Sequence, residues 1–136
     1  MKIILLGLLM TTILGFSGCG ALNKDAEVNS FITEMDKLTT EIVRTVDEKP
    51  TEGVDKAQKL LDARKTELRK SYEKFKDIRG FQLSKEMQTK FTDAITKDLE
   101  LVGNLQIKHA KTWVADQNFA QKLDKLTADY NSIFGV

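Results

Sequence analysis

The sequence is poor in the residues from which reactive sites are usually built: its 136 residues include one cysteine, one histidine, one proline and one tryptophan. A single cysteine excludes an internal disulfide and a cysteine-cluster metal site. A single histidine removes most metal sites and the usual nucleophile–base triads, so neither metal nor cofactor is expected. One proline and 8 glycines leave little material for a many-turned all-β fold. The glycines are scattered rather than gathered into a phosphate-cradling loop. No motif pairs carboxylates or sets a nucleophile beside a base, and the reading is non-enzymatic. With 21 basic and 20 acidic side chains, no global charge steers the chain to nucleic acid. What remains, 41% hydrophobic and 30% charged, suits one ordinary helical domain.

The chain opens with Met1-Lys2 and an apolar stretch through Phe16, interrupted by Gly7, Thr11 and Thr12. One basic residue before a short apolar run is the layout of a secretory signal peptide, and the run is too short and broken for a spanning helix. At its end, Phe16-Ser17-Gly18-Cys19 resembles the lipobox of bacterial lipoproteins. Ser17 and Gly18 match its small residues, and Phe16 stands where leucine is usual. The lone cysteine at this position distinguishes the segment from a plain signal peptide. The resemblance implies that residues 1–18 are removed, that Cys19 is acylated, and that residues 19–24 tether residues 25–136 to a membrane. Gly20, rather than aspartate, after the cysteine implies sorting to the outer membrane of the cell envelope, facing the periplasm or the cell surface. The 118 residues from Cys19 onward carry 20 basic and 20 acidic side chains.

Beyond the tether, apolar residues recur at helical steps: Val28, Phe31/Ile32, Met35, Leu38, Ile42 and Val46. Lys49-Pro50 ends that helix, and Thr51 is expected to cap the next. The second helix carries Val54, Ala57, Leu61, Leu68, Tyr72, Phe75 and Ile78 and stops near Gly80. Ser84 caps a third, with Met87, Phe91, Ile95, Val102, Leu105 and Trp113 inward. Asp116 or Asn118 starts a shorter fourth, carrying Phe119, Leu123, Leu126, Tyr130 and Ile133/Phe134, unless it runs on from the third as one bent rod. The expected fold is an all-α, antiparallel up-down bundle of four helices. Residues 25–48 hold 7 acidic and 2 basic side chains, and residues 54–79 hold 5 acidic and 9 basic, so the first two helices are expected to pair by charge.

Three polar residues interrupt the apolar faces. Arg64 falls in the apolar arc of the second helix and Asp98 in that of the third. Arg64 lies 15 residues before Arg79 and Asp98 lies 14 after Ser84, so antiparallel neighbours would hold them level as a buried ion pair. His109 aligns with Val102, Leu105 and Trp113 and reads as a satisfied boundary residue. Pairing it with Met35 as haem ligands fails, because the two sit at heights differing by roughly 20 Å. Up-down packing puts Cys19, the Gly80-Phe81 turn and Phe134–Val136 at one pole, with Pro50, His109, Trp113 and Phe119 at the other. His109 and Trp113 mark a candidate docking surface for a protein partner at the membrane-distal end.

Two functions fit this reading. The first is a lipid-anchored, non-catalytic structural or protein-interaction module of the cell envelope. The second is a periplasmic carrier whose interior of Met, Phe and Leu admits a small apolar molecule. The sequence leaves the oligomeric state open.

Overall fold

The computed structural model describes residues 23–78 and 82–136, so the positions assigned to Cys19, Gly80 and Phe81 lie outside the described residues. The first apolar stripe forms α1, Asp25–Glu48. Its seven expected inward residues, Val28, Phe31, Ile32, Met35, Leu38, Ile42 and Val46, are all buried. Lys49 alone separates it from α2, Pro50–Phe75. Thr51 does not cap this helix. Lys49 takes the cap position without a side-chain bond, and Pro50 follows at N1, where its missing N–H leaves nothing unsatisfied. The helix ends at Phe75, short of Ile78.

Ser84 starts α3, Lys85–Lys108, its hydroxyl accepting from the Met87 N–H at 3.2 Å. A bend at His109 leads into α4, Ala110–Ala115. Helical bonds run through the bend, from the His109 N–H to the Leu105 carbonyl and from the Trp113 N–H to the His109 carbonyl, each at 2.9 Å. The third helix is therefore a bent rod, but it does not continue into the last. Asp116 adopts an extended backbone, and its carboxylate accepts from the Asn118 and Phe119 N–H groups at 3.0 Å, opening α5, Gln117–Asn131.

The bundle is all-α and alternates up and down along the chain, but its neighbours are not those of a simple up-down circuit. α1 packs against α2 and α3, and α5 packs against α2 and α3. α2 and α3 thus stand on one diagonal and α1 and α5 on the other. The segment before α3 is pinned under the start of α1 by a bond from the Lys24 N–H to the Gln82 carbonyl at 2.8 Å. A second bond runs from the Ser84 N–H to the Asp25 carboxylate at 2.9 Å. α1 and α3 therefore lie side by side and parallel.

Charge pairing follows the actual neighbours. Among the described residues the one ion pair joining α1 to α2 is Glu27–Lys74, at 2.6 Å, although the two helices do pack together. The other α1 acids in inter-helix pairs turn to α3, and Asp55 and Lys65 of α2 meet Lys122 and Asp129 of α5. No helix among the described residues is long and apolar enough to cross a membrane.

Candidate functional site

The structure brings His109, Trp113 and Phe119 together at the end of the bundle where Pro50 opens α2. His109 Nε2 lies 2.8 Å from an Asp47 oxygen, and its ring meets Phe119 edge-on at 6.3 Å. Lys108 bonds the other Asp47 oxygen. Partial burial opposes ionisation of Asp47, but the bonds from Lys108 and His109 outweigh it and hold the carboxyl below its usual range. His109 is thus a satisfied boundary residue, tied back to α1. Trp113 is half-buried against the core, and its indole N–H donates to Asp124 at 3.2 Å. Both residues are engaged within the bundle. The exposed apolar surface here belongs to residues the sequence reading passed over. Ile107 and Val114, on either side of His109, are 75% and 78% exposed. Ile107 belongs to α3 and Val114 to α4, so they flank the bend from its two sides.

The second site is inside the bundle. Asp98, expected in the apolar arc, is 1% exposed. Its partner is not Arg64, which is exposed. The cause is that α2 and α3 are diagonal rather than adjacent. Lys65, the next residue, takes the seam with α5, bonding Asp62 at 2.9 Å and Asp129 at 3.4 Å.

Around Asp98 stand groups that sequence reasoning missed. Thr39 of α1 is fully buried, and its hydroxyl bonds the Met35 carbonyl at 2.9 Å and the Tyr130 hydroxyl, from the diagonal helix α5, at 2.5 Å. Thr39 and the Asp36 carboxylate both face Asp98. Burial, with Asp36 adding to it, pushes the Asp98 carboxyl up to about 6. Burial also raises the Tyr130 phenol above its ordinary value. Thr39 sits between Met35 and Ile42 on the inward stripe, the one signal that could have placed it in the core.

Grooves between helices, such as the one edged by Asp36, Glu86, Lys90, Asp93 and Lys97, are walled mainly by charged side chains. Among the described residues no group of three His, Cys, Asp or Glu side chains is placed to hold a metal ion. Compared with protein families, curated proteins and solved structures, the chain matches none of them.

Proposed function

We propose that the protein is a bacterial envelope lipoprotein, anchored through Cys19 and presenting its helical bundle as a non-catalytic protein-interaction module. The observation that carries the docking part is the pair of exposed apolar side chains, Ile107 and Val114, at the end of the bundle opposite the start of α1. Single exposed apolar residues are ordinary on protein surfaces, but two flanking one bend, with half-buried Trp113 next to Val114 in the chain, supply the apolar centre of a small interface. The anchoring part is supported by the Phe16-Ser17-Gly18-Cys19 motif holding the chain's lone cysteine. Six residues from Cys19 to the start of α1 reach at most roughly 20 Å, which keeps the first pole at the bilayer and turns the Ile107–Val114 end outward. Gly20 after the cysteine supports placement in the outer membrane.

Extraction from the native membrane in mild detergent, followed by intact mass measurement, tests this reading. The expected mass is that of the chain from Cys19 plus acyl groups, with Cys19→Ser leaving the signal segment uncleaved. An unacylated, freely soluble form would overturn the anchor. A dissociable small molecule retained in the protein would instead support the carrier reading, which the close packing of Met35, Phe31, Leu61 and Leu105 in the core disfavours.

A further inference from the structure

α2 ends at the pole where α1 and α3 begin, and the corners of that pole differ in charge. α1 and α3 open there with Asp25, Glu27 and Glu86 in their first turns. Residues 64–75, the last turns of α2, hold 5 basic and 2 acidic side chains. The carboxylates within reach are already taken. Lys76 holds Glu73, Lys74 holds Glu27, and Lys65 with Lys125 holds Asp129. Arg69 and Lys70 are exposed and enter no ion pair among the described residues. With Lys65, Thr66, Glu73 and Ser132 they line a groove of about 550 Å³ between α2 and the end of α5. The groove therefore presents a guanidinium fork, an uncommitted ammonium and the Thr66 hydroxyl side by side, a donor set suited to a phosphate.

We propose that this groove takes the phosphate of an anionic phospholipid, so that the bundle leans on its bilayer through the α2–α5 seam. The inference rests on the reading of Cys19 as a lipid anchor, and position is what selects a lipid over a dissolved anion. At 1.5 Å per residue, Arg69 and Lys70 stand roughly 9 and 8 Å from the end of α2 at Phe75. Their long stems carry the charges toward that end, within about 10 Å of a bilayer that the pole touches, where salt does not screen the attraction away. The tether brings the pole there and holds it only at the α1 corner, which leaves the bundle free to tilt. An anionic surface sets the direction of tilt by drawing the α2 corner down. Because α3 stands diagonally across from α2, the same tilt lifts the start of α3 and its Glu86 away from the negative charge. The lean makes no use of the Ile107–Val114 end.

The full chain, purified from its native membrane and placed in vesicles, tests it through lysine reactivity. The vesicles are phosphatidylcholine alone or a two-to-one mixture with phosphatidylglycerol. The reagent is formaldehyde with a borane reductant, small and uncharged, and the methylated sites are read by mass after proteolysis. Lys70 is expected to react about fivefold more slowly in the anionic vesicles. Exposed Lys85, at the start of α3, and exposed Lys111, at the far end, are expected to keep their rates. Salt at molar strength, or Arg69→Gln at its exposed position, is expected to remove most of the difference. Equal Lys70 rates in the two vesicles overturn the proposal, and equal slowing of Lys70 and Lys85 overturns the lean. Glycerol phosphate that slows Lys70 as much in neutral vesicles would overturn the lipid as the source of the phosphate. Flotation separates these results from failure of the anchor, since an unacylated chain would leave the phosphatidylcholine vesicles. Retention of such a chain by anionic vesicles alone, lost in Arg69→Gln, would still support the groove, and release from both would overturn it.

Discussion

Asp36 and Lys97 stand 3.1 Å apart across the α1–α3 seam, and the offset of 61 residues between them recurs at Asn29–Lys90 and Asp47–Lys108. A constant offset is the mark of parallel helices, because antiparallel partners hold their sum constant instead. The steps between rungs, from 29 to 36 to 47, return to one helical face. This ladder places α3 beside α1, and with it α2 on the diagonal.

The arrangement is open to direct measurement. In a Cys19→Ser background, Asn29→Cys with Lys90→Cys is expected to be joined readily by a short bis-maleimide linker within one molecule. Arg64→Cys with Asp98→Cys, the pair an antiparallel α2–α3 neighbourhood demands, is expected to stay unlinked. The reverse pattern, read by mass after proteolysis, would restore the simple up-down circuit.

A second cross-bundle relation joins Thr39 and Tyr130, whose hydroxyls meet at 2.5 Å between the diagonal helices α1 and α5. Thr39→Val leaves the buried phenol without its partner and is expected to destabilise by about 1–3 kcal/mol. Tyr130→Phe removes the partner from the other side and should cost no more, since Thr39 keeps its bond to the Met35 carbonyl at 2.9 Å. The double variant is expected to be less destabilised than the sum of the singles. Additive losses in urea titrations would show that the two hydroxyls do not depend on each other.

The sequence revealed helices more readily than neighbours. Val28 through Val46 could be read because a 3.6-residue stripe is a property of one helix, and Ser84 and Asp116 because a cap is a bond within one turn. The place of α2 relative to α3 is decided by a link that passes beneath Lys24 and Asp25, and no periodicity encodes that path. Arg64 was paired with the wrong helix because a wheel describes one helix at a time and does not say which helix stands opposite, and α3 is not the neighbour of α2. Asp98 was legible as buried, but not its surroundings, since Thr39 and Tyr130 each look like ordinary stripe residues until α1 and α5 face each other. Ile107 and Val114 were overlooked because an exposed apolar residue leaves no pattern to break.

At the turn between α1 and α2, Gly53 is buried where the two backbones touch. A Cβ built there would lie 2.0 Å from the Thr45 carbonyl oxygen. That neighbour is backbone within a helix and has no side-chain torsion through which to give way. Gly53→Ala therefore has to push α1 from α2, against the higher intrinsic helix propensity of alanine, which favours the variant by about 1 kcal/mol. Overpacking costs typically about 1–3 kcal/mol and is expected to win. A lowered melting temperature is expected. By contrast Gly103→Ala, on α3 with nothing near its added methyl, is expected to be stabilising. Equal shifts of one sign at both glycines would show that propensity, not the close approach, governs position 53.

The pH dependence of stability divides between two kinds of carboxyl. Bonds from Lys24 and then Lys74 hold Glu27 down at about 2, and Lys125 together with Gln58 holds Asp129 below its usual range. Depressed groups stabilise the fold above their unfolded values and lose that contribution on acidification. Glu27 is largely solvent-exposed, so its share is small. Asp98 acts with the opposite sign. Raised from 3.8 to about 6, it lets the folded chain bind the extra proton. Its contribution is complete below the unfolded value, declines as pH climbs through the folded one, and is then lost. A shift of this size corresponds to about 3 kcal/mol in full, of which about 2 kcal/mol falls between pH 4 and 7. Urea unfolding of the wild type is therefore expected to show greatest stability near pH 4–5 and a descending limb toward neutrality. Asp98→Asn is expected to lack that limb, leaving only the acid-side loss from Glu27 and Asp129. A wild-type profile that stays level or rises from pH 4 to 7 would mean that Asp98 is ionised in the fold, and that Thr39 has turned its proton from the Met35 carbonyl to the carboxylate.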